Sequence, residues 1–183
     1  MNSIMYASEP LTTKEFFALD VDEKLKVELI GGALAVSPSP RPWHGFVANR
    51  LRRFLSDALG RDYIVFADLD VIIDDENTPR PDLFVVSRAT YDPDKVSRAA
   101  DVLLAIEIMS TGSRVNDRLV KPGLYRDAGI PSWRVERSGE RLLLVEMPIN
   151  GEAETHHDSA TLKVDGNDVR IDLAAMAAEV FGV

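Results

Sequence analysis

The chain has 183 residues, of which 45% are apolar and 28% charged, with a net charge of −9 and no cysteine. That length suits one domain with a substantial core, and the missing thiols exclude disulfides and thiolate metal sites. No apolar run approaches the roughly 20 residues needed to span a bilayer.

Met1 to Pro10 lacks a basic start followed by an apolar stretch, so a cytoplasmic protein is the expectation. The acidic balance weighs against a protein coated in nucleic acid, because phosphates prefer a basic footprint. A metal-dependent nuclease is not excluded, since a locally basic groove and bound metal can offset its carboxylates.

The spacing predicts a short helix over Leu11 to Leu19, capped by Thr12 or Thr13, with Phe16, Phe17 and Leu19 turned inward. Val27-Glu28-Leu29-Ile30 and Ala33-Leu34-Ala35-Val36, separated by Gly31-Gly32, read as a β-hairpin. Ser37 to Pro42 carries three prolines and is a loop. Trp43 to Leu59 is the clearest helix, apolar on one side and carrying Arg50, Arg52 and Arg53, with Gly60 placed to end it. Those arginines either contact phosphates or line a solvated face.

Alternation from Tyr63 to Asp74 predicts one half-exposed strand, with Leu69 and Val71 on its apolar face. Arg80-Pro81-Asp82 then opens a short apolar strand, Leu83 to Val86, and Ser87 to Ala100 reads as a surface loop or short helix. Strands are also expected at Arg141 to Met147 and in a hairpin of Leu162 to Val164 with Val169 to Ile171 across Asp165 to Asp168. Asp172 can cap a final helix.

The organising stretch runs from Asp101 to Glu136. Leu103-Leu104-Ala105-Ile106-Glu107-Ile108-Met109 has no wet side and reads as a strand buried on both faces. Ionised Glu107 there would be costly unless something compensates its charge. A turn (Ser110 to Ser113), a helix carrying Lys121 and Tyr125, a Gly129-Ile130-Pro131 break and a second strand at Trp133 to Val135 follow. Strand, crossover helix and strand build a parallel pair.

Asp82 at a strand start, Glu107 in the next apolar strand and Lys121 beyond it form the set that can carry chemistry. Two carboxylates on neighbouring strands can share a divalent ion such as Mg²⁺ or Mn²⁺, and the backbone carbonyl of Ile108 can add another oxygen. Two acids and a lysine are the minimal parts for metal-assisted phosphodiester hydrolysis.

This set resembles the PD-(D/E)XK nuclease superfamily and, within it, the Uma-type putative restriction endonuclease family. The residues that carry the resemblance are Val27 to Gly32, Ser37-Pro38-Ser39-Pro40 with His44, Arg80-Pro81-Asp82-Leu83, and Ile106 to Ser110. They continue through Asp117-Arg118, Val120-Lys121-Pro122, Leu124-Tyr125 and Ala128 to Pro131. The lysine that the superfamily's simplest motif places two residues after the second acid is Met109 here, and Lys121 stands as its equivalent on the following helix.

The resemblance implies an α/β fold, a restriction endonuclease-like core with a central mixed β-sheet flanked by helices and extra β-hairpins. Its core would be residues 11–136, and strands and a helix over 140–183 would complete one domain. It implies Asp82 and Glu107 as metal ligands, Glu28 as an auxiliary acid and Lys121 as the catalytic lysine. Double-stranded DNA is the expected substrate, with a homodimer suited to cutting both strands and no membrane partner.

Each residue also has a plainer reading. Glu107 could pair with an arginine, Asp82 could be a turn residue, and Lys121 a solvated helix start beside Pro122. Glu28 could cross-link the hairpin. His44 reads first as a structural or capping residue, Tyr125 as a partly buried core residue, and His156 and His157 as neighbours pointing apart. The whole could instead be an inactive nuclease-fold module that binds nucleic acid or protein, or a hydrolase of small phosphodiesters.

Overall fold

The computed structural model describes residues 4–5, 9–22, 24–37, 39–109 and 119–182. The Ser110 to Ser113 turn and the Asp117-Arg118 pair expected from sequence lie outside them.

A mixed six-stranded sheet forms the centre. Its strands are β4 (Tyr63–Ala67), β6 (Leu83–Ser87), β8 (Val102–Met109), β9 (Ser132–Ser138), β10 (Arg141–Met147) and β11 (Glu154–His156), ordered β11-β10-β9-β8-β6-β4. β8 and β9 run parallel and every other neighbour pair is antiparallel. The crossover between β8 and β9 carries helix α3 (Lys121–Asp127), as the strand–helix–strand pattern requires.

One face of this sheet is covered by α2 (Pro42–Leu59), the hairpin β12–β13 (Ser159–Val164 and Asn167–Asp172) and α4 (Leu173–Phe181). Trp43, Val47, Leu51, Leu55 and Leu59 of α2 meet Leu83, Val85, Leu104, Ile106 and Ile108 there. The α2 residues recur at steps of four, which lines them along one side of a helix. Pro42 opens α2, Gly60 closes it at φ +73°, and the Asp172 side chain caps α4 through the Ala175 N–H. The other face holds Val71, Phe84, Val86, Ala105, Tyr125 and Ile130. Among the described residues no helix is long and apolar enough to cross a membrane.

A second sheet orders β1 (Ile4–Met5), β3 (Ala33–Ser37) and β2 (Lys26–Ile30) side by side. The expected hairpin is present, turning at Gly31 and Gly32 with φ of +58° and +69°. It is tied to the chain that leads into Asp82: Leu29 and Thr78 exchange two backbone hydrogen bonds, and Gly32 N donates to Glu76 O at 2.9 Å. A Cβ built on Gly32 would lie 2.5 Å from Pro10 Cβ and 2.9 Å from Pro10 Cα, whereas one on Gly31 meets nothing within 4 Å. Gly32→Ala should therefore lower stability by about 2–4 kcal/mol and Gly31→Ala by only about 1 kcal/mol, because only the first adds a backbone clash to left-handed strain. Equal urea midpoints for the two variants would contradict this account.

Four expectations need correction. Phe17 and Leu19 are exposed, at 44% and 39%, since α1 (Thr13–Phe17) is only five residues long and buries Thr13 and Phe16 but not Phe17. The strand read over Tyr63 to Asp74 breaks at Asp68, whose φ is +52°, and resumes as β5 (Val71–Ile72). That break moves Val71 to the opposite apolar cluster from Val65 and leaves Leu69 50% exposed. β5 pairs with β7 (Ser97–Arg98), inside the segment read as loop or helix. Finally, β13 already begins at Asn167, so the hairpin turn is Asp165-Gly166, both at positive φ.

Candidate active site

Antiparallel β6 and β8 place Leu83 opposite Ile106, so the residue before β6, Asp82, falls next to Glu107 in register. Along β8, Leu104, Ile106 and Ile108 face α2, while Ala105 and Glu107 face α3. Asp82 is 5% and Glu107 6% exposed, despite their charge.

Each acid is held by named donors. Asp82 Oδ1 accepts from Lys26 Nζ at 2.6 Å, and Oδ2 from the Ile108 backbone N–H at 2.7 Å and His44 Nε2 at 3.0 Å. Glu107 Oε1 accepts from Tyr125 O–H at 2.7 Å and Lys121 Nζ at 3.2 Å. Lys121 reaches Glu28 Oε1 at 2.6 Å, and that oxygen also accepts from the Arg80 backbone N–H at 2.7 Å. Lys121 and Tyr125, one helical turn apart on α3, thus converge on one carboxylate oxygen.

Four sequence-derived residues lie buried in two neighbouring hydrogen-bonded groups of one network of charges, Asp82 with Lys26, His44 and the Ile108 N–H, and Glu107 with Lys121, Tyr125 and Glu28. Arg134, beside Glu107 in β9, turns to Glu136 instead. One member, Lys26, was not singled out in advance, and His44 was read first as a structural or capping residue. Lys26 sits two residues before Glu28, hence on the same face of β2, which is the signal that could have found it. His44 reaches Asp82 and so acts beyond a capping role.

The network holds three carboxylates, Glu28, Asp82 and Glu107, against two ammoniums, Lys26 and Lys121. Burial pushes the Glu107 carboxyl up, to about 7, against the pull of the Lys121 ammonium. Burial acts the same way on Asp82, but the Lys26 ammonium and the His44 hydrogen bond outweigh it and hold Asp82 well below the usual carboxylate range. Burial disfavours the Lys26 charge, yet Asp82 and Glu107 raise its pKa above the ordinary lysine value. Burial and the Glu107 charge push the Tyr125 phenol well above its ordinary value, so it serves as a donor.

The donor set fits a hard divalent cation. Its ligands are carboxylate oxygens, and among the described residues both donors that reach Glu107 fall on Oε1, leaving Oε2 for a further partner. Both Asp82 oxygens and Glu28 Oε1 already accept donors, so Glu107 Oε2 is the most open of these carboxylate oxygens among the described residues, and Mg²⁺ is satisfied by one or two carboxylates plus water.

The raised Glu107 pKa has a sign that can be measured. Between the unfolded glutamate value of about 4.3 and the folded value of about 7, the folded protein keeps a proton that the unfolded chain has released. Stability in EDTA should therefore fall as pH rises through that window, by at most about 1.4 kcal/mol per unit. His44, whose pKa is raised by Asp82 although burial opposes it, acts in the same direction. Asp82 acts in the opposite direction only below the ordinary aspartate range. Glu107→Gln should flatten the slope between pH 5 and 7; an unchanged slope in urea titrations would contradict the assignment.

A separate group lies at the far edge of the sheet. Glu146 and Glu154 are opposed across β10 and β11, with His156 Nε2 3.6 Å from Glu146 Oε2. His157 is exposed and takes no part, as the two histidines' adjacency suggests.

Comparisons with known proteins agree with this architecture. A family model described as "Uma2: Putative restriction endonuclease" matches residues 13–172. A crystal structure described as a "putative nuclease belonging to DUF820" from Anabaena variabilis ATCC 29413 superposes with a TM-score of 0.76 at 16% identity. The match covers 93% of this chain and 99% of that one. A search of curated proteins found no match. The residues that first carried the resemblance, from Val27 to Pro131, all lie within the matched span, and the chain belongs to the Uma2 family.

Proposed function

We propose that this protein is a divalent-metal-dependent endonuclease of the PD-(D/E)XK type, cleaving phosphodiester bonds in double-stranded DNA with Mg²⁺ or Mn²⁺. The observation that carries the reading is the buried meeting of Asp82, Glu107 and Lys121. Family membership supports the nuclease part.

In this reading Asp82 and Glu107 hold the metal, with the Ile108 carbonyl as a further oxygen. When bound, the metal makes water a better nucleophile and offsets charge on the phosphorus. Ile108 N–H and His44 fix the Asp82 carboxylate in one orientation. Tyr125 and Lys121 do the same for Glu107 Oε1, and Lys121 helps orient the attacking water. Glu28 assists by holding Lys121. Hydrolysis forms one P–O bond to the water oxygen and breaks the bond to the leaving sugar oxygen, which takes up a proton. A cytoplasmic homodimer formed from one-domain copies would suit cleavage of both strands.

Incubation of supercoiled plasmid with the protein and Mg²⁺ or Mn²⁺ tests this. Nicked and linear products that EDTA abolishes are expected. Intact plasmid with every divalent ion would overturn the reading and favour a non-catalytic binding module.

A further inference from the structure

We infer that Lys26 is the ammonium that contacts the substrate's phosphodiester, and that Lys121 is the inner, positioning lysine. This rests on the nuclease reading and divides its charges between two tasks. Side-chain exposure falls from 21% at Lys26 to 12% at His44, 7% at Asp82 and Glu107, and 2% at Glu28 and Lys121. The network therefore opens to solvent on the Lys26 side, and of the two ammoniums Lys26 is the nearer to the mouth. Lys121 is clasped between Glu28 at 2.6 Å and Glu107 at 3.2 Å, beneath the acids rather than above them.

Lys26 is also well placed to stay charged and still. It stands on β2, whose backbone is bonded to Thr78 on the segment leading into Asp82, and its Nζ lies 2.6 Å from Asp82 Oδ1. Asp68, two-thirds exposed at the same mouth, lies 3.5 Å from that nitrogen. An ammonium has three N–H donors. Two directed at Asp82 and Asp68 leave a third for a phosphate oxygen next to the metal ligands, where charge develops during hydrolysis.

Lys26→Met separates this role from its alternatives. Binding of a fluorescent duplex in Ca²⁺, followed by anisotropy across salt concentrations, should weaken for all sequences and lose about one unit of salt slope. Plasmid cleavage should fall by roughly 10²-fold, while Mn²⁺ affinity by calorimetry stays near wild type, and Lys26→Arg should recover part of both losses. Should Lys26→Met melt early, Lys26→Gln, which keeps a donor toward Asp82, carries the same measurements. Wild-type salt slope and affinity in these variants would overturn the inference and leave the nuclease reading standing. Loss of Mn²⁺ binding in step with cleavage would also overturn it, by making Lys26 a support for Asp82. A wild-type protein that neither binds nor cleaves DNA would remove the nuclease reading itself.

Discussion

Asp82→Ala should lower metal-dependent cleavage by on the order of 10³-fold, because it removes a metal ligand at the centre of charge development. The heat of Mn²⁺ binding should disappear with it. Alanine also strips three donors of their acceptor: the Ile108 N–H, His44 and Lys26. Some loss of stability is thus built into that variant, since unsatisfied buried donors are destabilising. Asp82→Asn keeps the shape and one acceptor oxygen and isolates the chemical effect. If Asp82→Asn folds and cleaves plasmid at the wild-type rate, Asp82 is not a ligand in the reaction.

The largest stability effect should come from Lys121→Ala. Removing one partner of a buried ion pair leaves the other charge without compensation and costs about 3–5 kcal/mol. Here two acids, Glu28 and Glu107, lose an ammonium that lies 1% exposed. A chain of this size should melt roughly 6–20 °C lower as a result. Pairing Glu28→Gln with Lys121→Met should cost less than the two single changes added together, because the double variant buries no uncompensated charge at that contact. Strict additivity in thermal melts would show that Lys121 and Glu28 do not depend on each other. Arg50→Ala gives a useful contrast, since its partly exposed pair with Glu179 should be worth only about 0–1 kcal/mol.

Much of the site was legible because its chemistry sits in local patterns. A lone glutamate in an apolar strand marks itself as Glu107 does, and Pro81-Asp82 at a strand start marks a turn into the sheet. Gly31-Gly32 announced the hairpin, and Thr12, one of the two residues read as a cap, does cap α1. What escaped depends on contacts between distant parts of the chain. Lys26 reaches Asp82 only because the hairpin docks against the 76–80 segment, and no local signal encodes that docking. His44 reaches Asp82 because the first turn of α2 passes the end of β6. The break at Asp68 was hidden by continued apolar alternation, even though the residues after it serve the opposite face. β11 was missed for a similar reason: Glu154-Thr155-His156 has almost no apolar pattern and is held as a strand by pairing with β10.

The most direct measurement of the central claim is a crystal structure soaked in Mn²⁺, with the ion located by its anomalous scattering. The account predicts a peak contacted by carboxylate oxygens of both Asp82 and Glu107, lost in Glu107→Gln crystals. A map with no peak there, or with its peak only at Glu146, Glu154 and His156, would contradict it.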